Sequence, residues 1–169
     1  MSIVICLLLL YSFLAMLFDL VTDRIPNYLV AAELIVGFAC QLYIFGPMGI
    51  LSFLGGIAVP FALSYVLFLF RMIGAGDIKL LMALGSVAGF PLNARLMLWA
   101  VICGGIISAV IMWRRTGFMP RLTYLISYVR DFIRTGERKP YRKEGGGAEN
   151  FHFSVAIFAA VLVLTLLRI

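Results

Sequence analysis

Long apolar stretches, bounded by glycine, proline or charged residues, constrain this chain more than any other feature of its sequence. A helix that crosses the hydrocarbon core of a bilayer needs about 20 predominantly apolar residues. By that measure the sequence predicts about six membrane-spanning helices, at residues 2–19, 28–46, 48–70, 78–91, 93–113 and 151–167. Pro47, between Gly46 and Gly49, predicts a tight turn between the second and third. The fourth is short: 78–90 rises only about 20 Å against roughly 30 Å of hydrocarbon, and therefore requires bilayer thinning or burial against other helices.

The composition excludes a soluble domain and a nucleic-acid-binding protein. Hydrophobic residues make up 63% of the 169 residues and charged residues only 13%, whereas soluble domains carry about 25% charged residues. No basic patch is interleaved with aromatic residues outside the predicted spans, so we expect no nucleic-acid partner. We therefore predict an all-α polytopic membrane protein with a single domain, residues 1–169.

Three cysteines lie in apolar runs without a CxxC pair, which is typical of helix-packing residues rather than of a disulfide or zinc site: Cys6, Cys40 and Cys103.

The distribution of basic residues predicts the orientation in the membrane. Most of them fall in the loop 114–150 between the fifth and sixth spans, and an excess of Lys and Arg marks a cytoplasmic loop. With six spans, both termini then lie outside. The segment 1–18 has no basic n-region and no cleavage motif follows it, so we interpret it as a retained first span. Apolar residues at helical spacing within the basic loop predict an amphipathic helix that lies in the headgroup plane and binds membrane lipid: Leu122, Leu125, Ile126, Val129, Phe132 and Ile133.

Two acidic residues at membrane depth are the main candidates for chemistry. A charged side chain within the membrane costs roughly 2.5–3.5 kcal/mol on insertion scales, so its presence favours a functional role. Asp19 ends the first span and Asp77 begins the fourth, and both lie on the predicted cytoplasmic side. Asp23 has Arg24 beside it and is interpreted as a solvated interfacial charge. Glu33, about one turn into the second helix, is expected to snorkel or to pair with a basic group.

The residues around these acids have both functional and structural interpretations. Gly74 and Gly76 lack a Cβ, so the backbone before Asp77 can take positive φ values and a substrate chain can approach closely. The structural alternative is that Asp77 only caps the helix that follows. Asn27, directly after Pro26, is predicted to cap the second helix.

At this point the motifs resemble those of a known family. Gly74-Ala75-Gly76-Asp77, followed by residues 79–85, resembles the GxGD signature of the type IV prepilin peptidases, and Asp19 followed by 25–27 resembles that family's first motif. Order, spacing and predicted spans agree over nearly the whole chain. The resemblance implies an intramembrane aspartic endopeptidase of the inner (cytoplasmic) membrane that removes the short basic leader of pilin-like precursors at the cytoplasmic face. It implies Asp19 and Asp77 as the catalytic dyad, supported by other motif residues: Gly74, Gly76, Lys79, Pro26 and Asn27.

One departure from the family pattern bears on the activity. Larger members carry a cytoplasmic domain with two CxxC pairs and also methylate the new pilin terminus. This chain has neither that domain nor a cysteine on the predicted cytoplasmic side. It resembles the short, peptidase-only form associated with Flp or tight-adherence pili, so methyltransferase activity is not expected. Aspartic proteolysis requires no cofactor or metal, and the sequence contains no HExxH motif. The sequence leaves the oligomeric state open.

The helix ends suggest how the two aspartates divide one proton. Two carboxylates in close contact cannot both ionise cheaply. Asp77 begins a helix, where the macrodipole favours an anion, and Asp19 ends one; this predicts Asp77 as the base and Asp19 as the acid.

Other polar residues near the aspartates are predicted to play no direct part in the chemistry. Lys79 lies about 200° around the helix from Asp77 and is predicted to face lipid headgroups. His152 and Ser154, two residues apart on a helix, are poorly placed to act together as a serine-protease pair.

Two other classes of function fit part of the pattern. Intramembrane carboxylates also serve as proton or cation sites in transport proteins, although both acids lie at the membrane edge here. A non-enzymatic membrane subunit of a secretion or pilus assembly would use the acids only as helix caps. The pair of motifs favours the peptidase.

Overall fold

The structure, a computed structural model, describes residues 2–69, 73–115 and 152–167, together with the isolated positions 127 and 130. Within these residues every regular element is a helix. The amphipathic helix predicted in the 114–150 loop lies outside the described residues. A short 3-10 turn, Gly46–Met48, joins the second helix to the third, as Pro47 predicted. The helices are α1 (Ser2–Thr22), α2 (Asn27–Phe45), α3 (Gly49–Leu69), α4 (Ala75–Arg115) and α5 (Phe153–Leu167).

Helix α4 covers two of the predicted spans and contains one break. Gly89 has φ 73° and ψ 173°, a conformation that L side chains rarely adopt. The break divides α4 into an arm before Gly89 and an arm after it, which correspond to the predicted spans 78–91 and 93–113. The first arm begins at Ala75, three residues earlier than expected.

The described helices identify a membrane protein. Three helical stretches in this part of the chain are long and apolar enough to cross a bilayer, and Phe153–Leu167 is a shorter apolar helix. Two of the three stretches are interrupted, one by the 46–48 turn and the other by Gly89. Large apolar side chains cover the outside of the bundle, as a lipid environment requires. Six crossings remain a prediction. The three stretches are Ile3–Thr22, Asn27–Tyr65 and Ala75–Ile111.

A proline inside α3 is compensated by an amide of α4. Pro60 has no N–H to donate to the carbonyl four residues earlier, which belongs to Gly56. The buried Asn93 supplies the missing donor: its Nδ2 donates to the Gly56 carbonyl oxygen over 2.8 Å. The two helices approach closely at this point, because a Cβ on either Gly56 or Gly85 would overlap the carbonyl of the other.

A side-chain amide also replaces a missing backbone donor at the break in α4. Pro91 cannot donate to the carbonyl of Val87, four residues earlier. Nε2 of the buried Gln41, in α2, donates to that carbonyl oxygen over 2.8 Å. In a membrane, backbone groups that a proline frees must find partners inside the protein, since lipid offers none. Among the described α-helices, the two with an internal proline, α3 and α4, therefore each depend on an amide from a neighbouring helix.

Helix α4 is the centre of the bundle, since it packs against each of the other four described helices. The shared core is aliphatic and includes Leu8 of α1, Leu29 of α2, Leu84 and Leu96 of α4 and Ile157 of α5. This packing brings the end of α1 and the beginnings of α2, α4 and α5 to one end of the bundle, which we call the site end.

Contacts between α2 and α4 at the site end correct one prediction. Asn27 is the first residue of α2, the capping position belongs to Pro26, and no side chain caps the helix. The amide oxygen of Asn27 instead accepts a hydrogen bond from Nζ of Lys79, at 3.1 Å. The prediction that Asn27 caps α2 is therefore wrong, and its side chain joins α2 to α4.

Candidate active site

Asp19 lies in the last turn of α1 and is held by two residues at the beginning of α5. The Ser154 hydroxyl donates a hydrogen bond to its Oδ2 over 2.6 Å. Nδ1 of His152 lies 3.1 Å from the same oxygen. The Asp19 side chain is only 14% exposed and that of His152 20%. Two neighbours on the same oxygen fix the orientation of this carboxyl group.

The electrostatic setting of Asp19 differs from the one predicted, because a second helix end lies against it. Helix α5 begins at Phe153, and His152 occupies the capping position, its carbonyl accepting from the N–H of Val155. Asp19 thus ends α1 but faces the first turn of α5. A helix terminus stabilises or destabilises a nearby charge by about 0.3–1 kcal/mol. A hydrogen bond to a charged group contributes about 1.5–3 kcal/mol to stability. The contacts with α5 must therefore be considered together with the end of α1.

Asp77 occupies the third position of α4 and folds back on the residue that precedes the helix. Its carboxylate accepts a hydrogen bond from the backbone of Gly74, and a Cβ on Gly74 would lie 3.2 Å from Asp77 Oδ2. This is the reciprocal half of a capping box, in which the third residue satisfies the N–H of the cap. Asp77 is therefore not the N-cap that the structural alternative assumed.

The two glycines of the GxGD motif adopt ordinary backbone conformations. Neither Gly74 nor Gly76 has a positive φ, so the positive φ that we considered is not used in this structure. A Cβ on Gly76 would meet Ile25 only at ordinary van der Waals distance, 3.8 Å. The requirement for glycine is tighter at Gly74, where a side chain would crowd the Asp77 carboxylate.

The two aspartates come from different helices and influence one another. Burial disfavours an ionised Asp77, a negative charge on Asp19 adds to this effect, and a positive charge on His152 would oppose it. Two neighbouring carboxyl groups that share one proton can supply a base and an acid together. The two aspartates thus reach the same end of the bundle, where their charges interact, and their catalytic roles remain a proposal.

His152 connects Asp19 to a second acid. Its Nε2 lies 3.6 Å from Oδ1 of Asp23, whose side chain is 68% exposed. Asp23 terminates α1 with a φ of 52°, and its N–H still donates to the Asp19 carbonyl over 2.9 Å. The predicted interfacial charge is therefore exposed, as expected, but it also faces the histidine.

Sequence reasoning missed the role of α5 at this site. It weighed His152 and Ser154 only against each other, as base and nucleophile, whereas both contact Asp19. One signal was available: the predicted topology placed the start of the sixth span on the same side as both aspartates. The polar residues at that start were therefore candidates for contact with the pair.

Two other charged residues lie apart from the aspartate pair. Glu33 is fully buried, and neither of its carboxylate oxygens has a hydrogen-bond partner in the structure, so the prediction that it snorkels or pairs with a basic group is wrong. Lys79 binds Asn27 as described above, and its predicted contact with headgroups remains a prediction. Among the described residues, no three His, Cys, Asp or Glu side chains are grouped so that they could hold a metal ion.

Apolar helices of membrane-spanning length, with acidic side chains gathered at one end, define an integral membrane protein with an acidic site. The sequence profile of the type IV leader peptidase family matches residues 4–109, more than half of the chain, including Asp19 and Asp77. The chain belongs to this family and is a membrane peptidase of the prepilin peptidase type, which confirms the resemblance seen in its two motifs. No curated protein and no solved structure matches it significantly. Helix α5 lies outside the matched region.

Proposed function

We propose that the chain is an intramembrane aspartic endopeptidase. It removes the short basic leader of type IV pilin-like precursors at the cytoplasmic face of the inner membrane. The observation that supports this most directly is the placement of Asp19 and Asp77, which reach the same end of the bundle from α1 and α4 and interact through their charges. Membership of the type IV leader peptidase family supports the substrate class.

The chemistry follows from the pair sharing one proton. The ionised carboxylate takes a proton from a bound water, and the resulting hydroxide attacks the scissile carbonyl carbon. The protonated carboxyl donates to the carbonyl oxygen and stabilises the charge that develops there. When the tetrahedral intermediate collapses, the leaving nitrogen takes a proton from the pair, which returns to its starting state.

The position of the pair fits a substrate that lies across the membrane surface. A pilin-like precursor would keep its basic leader in the cytoplasm and its hydrophobic helix in lipid. The bond between these two parts then lies at the depth of the helix ends that carry Asp19 and Asp77. The family resemblance implies cleavage after a small residue, usually glycine, just before that hydrophobic helix.

Co-expression with a candidate prepilin tests the proposal. We expect the shift in substrate size to disappear with Asp19→Asn and with Asp77→Asn, while both variants insert at wild-type levels. Glu33→Gln is the matched control, because it makes the same kind of carboxyl-to-amide change at an acid of the same bundle that lies apart from the pair. Processing of the prepilin by this variant should be unchanged. Normal processing by both aspartate variants would contradict the proposal. Altered ion flux in that case would indicate a transport protein, and no change of either kind would indicate a structural subunit.

A further inference from the structure

The contacts that α5 makes with Asp19 carry an inference beyond the family match, which ends before α5 begins. We propose that Ser154 and His152 are positioning residues that hold Asp19 ionised, so that Asp19 is the base that activates water and Asp77 carries the proton. This rests on the proposed peptidase function and reverses the assignment that the ends of α1 and α4 alone suggested.

The geometry of the two contacts favours an ionised Asp19. Ser154 Oγ and His152 Nδ1 both approach the same oxygen, Oδ2, at 2.6 and 3.1 Å. When Nδ1 carries a proton, both neighbours donate to Oδ2, so a proton on Asp19 would have to lie on Oδ1. Both hydrogen bonds are stronger when the acceptor is an ionised carboxylate than when it is a neutral carboxyl group. Ser154 is fully buried, so no water can replace a lost partner of its hydroxyl. Both contacts are made to Oδ2, and in the proposed reaction Oδ1 is the oxygen that takes the proton from the water.

The charged groups around Asp19 are consistent with an ionised Asp19 and a protonated Asp77. Asp77 faces it from α4 and His152 from the start of α5. On its own segment, Asp23 approaches the far side of the His152 ring at 3.6 Å and Arg24 follows Asp23. From α2, the Tyr28 ring packs edge-on against Phe18, the neighbour of Asp19. The histidine therefore lies between two carboxylates, where a positive charge on it would favour an ionised Asp19.

If Asp19 is ionised, the proton that the pair shares lies on Asp77. The negative charge of Asp19 disfavours a second charge on Asp77, and most of the favourable contacts are made to Asp19 rather than to Asp77. Asp77 receives one backbone hydrogen bond, from Gly74. Asp77 is then the carboxyl that donates to the scissile carbonyl oxygen.

The pH dependence of kcat, measured on purified protein in nanodiscs with a purified prepilin, tests the proposal. If Asp19 is the base, activity falls at low pH when Asp19 is protonated. Ser154→Ala removes a hydrogen bond that favours the ionised form, so protonation becomes easier. We expect the acid limb of the kcat profile to move to higher pH by about one unit, with KM little changed and kcat restored at high pH. Ser154→Cys, which keeps the shape but donates weakly, should fall in between.

Matched variants separate positioning from a structural role. Thr165→Val removes a hydroxyl of α5 whose hydrogen bond in the described part of the chain stays within its own helix, on the Val161 carbonyl; this variant should leave the profile unchanged. His152→Asn, which keeps a donor near the position of Nδ1, should shift the acid limb less than His152→Leu.

Three outcomes would overturn the proposal. A uniform loss of kcat in Ser154→Ala without a shift would indicate a structural role, and so would a shift of the same size in Thr165→Val. A shift to lower pH would identify Asp77 as the base. Failure of the peptidase function itself is distinguishable, because Asp19→Asn and Asp77→Asn would then process the prepilin normally.

Discussion

The site end and the middle of the bundle both join helices through polar side chains, but they use different chemistry. In the middle, the amides of Gln41 and Asn93 each donate to one backbone carbonyl that a proline has freed. At the site end, Ser154 and His152 converge on a single carboxylate oxygen of Asp19. A neutral amide can be buried fully when it is paired, whereas groups that carry charge are favoured where water is close. The comparison predicts that changes in the middle affect stability and changes at the site end affect activity.

The largest expected effect is on catalysis at the site end. Asp77→Asn removes the carboxyl that the proposed reaction needs, so we expect cleavage to fall by about a thousandfold or more, equivalent to about 4 kcal/mol in the activation free energy. The melting temperature in detergent should change little, because an amide keeps the shape and can still accept from Gly74. Initial rates of prepilin cleavage measure the first effect. Activity within tenfold of wild type would remove Asp77 from the mechanism.

In the middle of the bundle we expect the opposite: a large effect on stability and a small effect on activity. Asn93→Leu leaves the Gly56 carbonyl without a donor in an apolar interior, which should lower the free energy of unfolding by about 1–3 kcal/mol. The activity of the folded protein should be retained. Unfolding in mixed micelles of rising SDS content measures the loss.

A double-mutant cycle sharpens this prediction. Pro60→Ala restores an N–H that can donate to the Gly56 carbonyl within α3, so Asn93→Leu should cost less in that background than in the wild type. Equal costs in both backgrounds would show that Asn93 acts through some other contact.

Glu33 is as buried as the two amides, but no atom of its carboxyl group has a hydrogen-bond partner among the described residues, whereas each amide nitrogen has one and each amide oxygen has none. An unpaired carboxylate is costly in an apolar interior, so we expect this side chain to be uncharged. Glu33→Gln should change the free energy of unfolding by less than about 1 kcal/mol, and Glu33→Leu should be neutral or stabilising. The same SDS titration applies. A loss of more than about 2 kcal/mol in either variant would reveal a partner for the carboxyl group.

The smallest effect is expected at the exposed link between α2 and α4. The Lys79–Asn27 hydrogen bond is exposed, and exposed polar contacts contribute about 0–1 kcal/mol. Lys79→Met and Asn27→Ala should each lower the melting temperature by no more than a few degrees and should retain most of the activity. A large loss of activity with unchanged stability would instead place Lys79 in substrate binding.

The helices and the aspartate pair could be predicted from the sequence because they depend on local patterns. Apolar run length located the helices, and the spacing of Asp19 and Asp77 relative to those runs placed both acids at helix ends. The roles of Ser154 and Asn93 could not be predicted in this way. Each depends on which residue a distant helix presents at the point of contact, and Ser154 lies 135 positions from Asp19. The capping prediction for Asn27 failed for the same reason, since Lys79 competes for its oxygen.

The distance along the chain between Asp19 and its partners has a consequence for biosynthesis. Membrane helices emerge from the ribosome in order, so a nascent chain that has inserted α1 to α4 already contains both aspartates. Its Asp19 still lacks the hydrogen bonds from Ser154 and His152. The hydrogen bonds proposed to hold Asp19 ionised therefore form only when α5 is inserted, and the surroundings of Asp19 are completed by the last described helix.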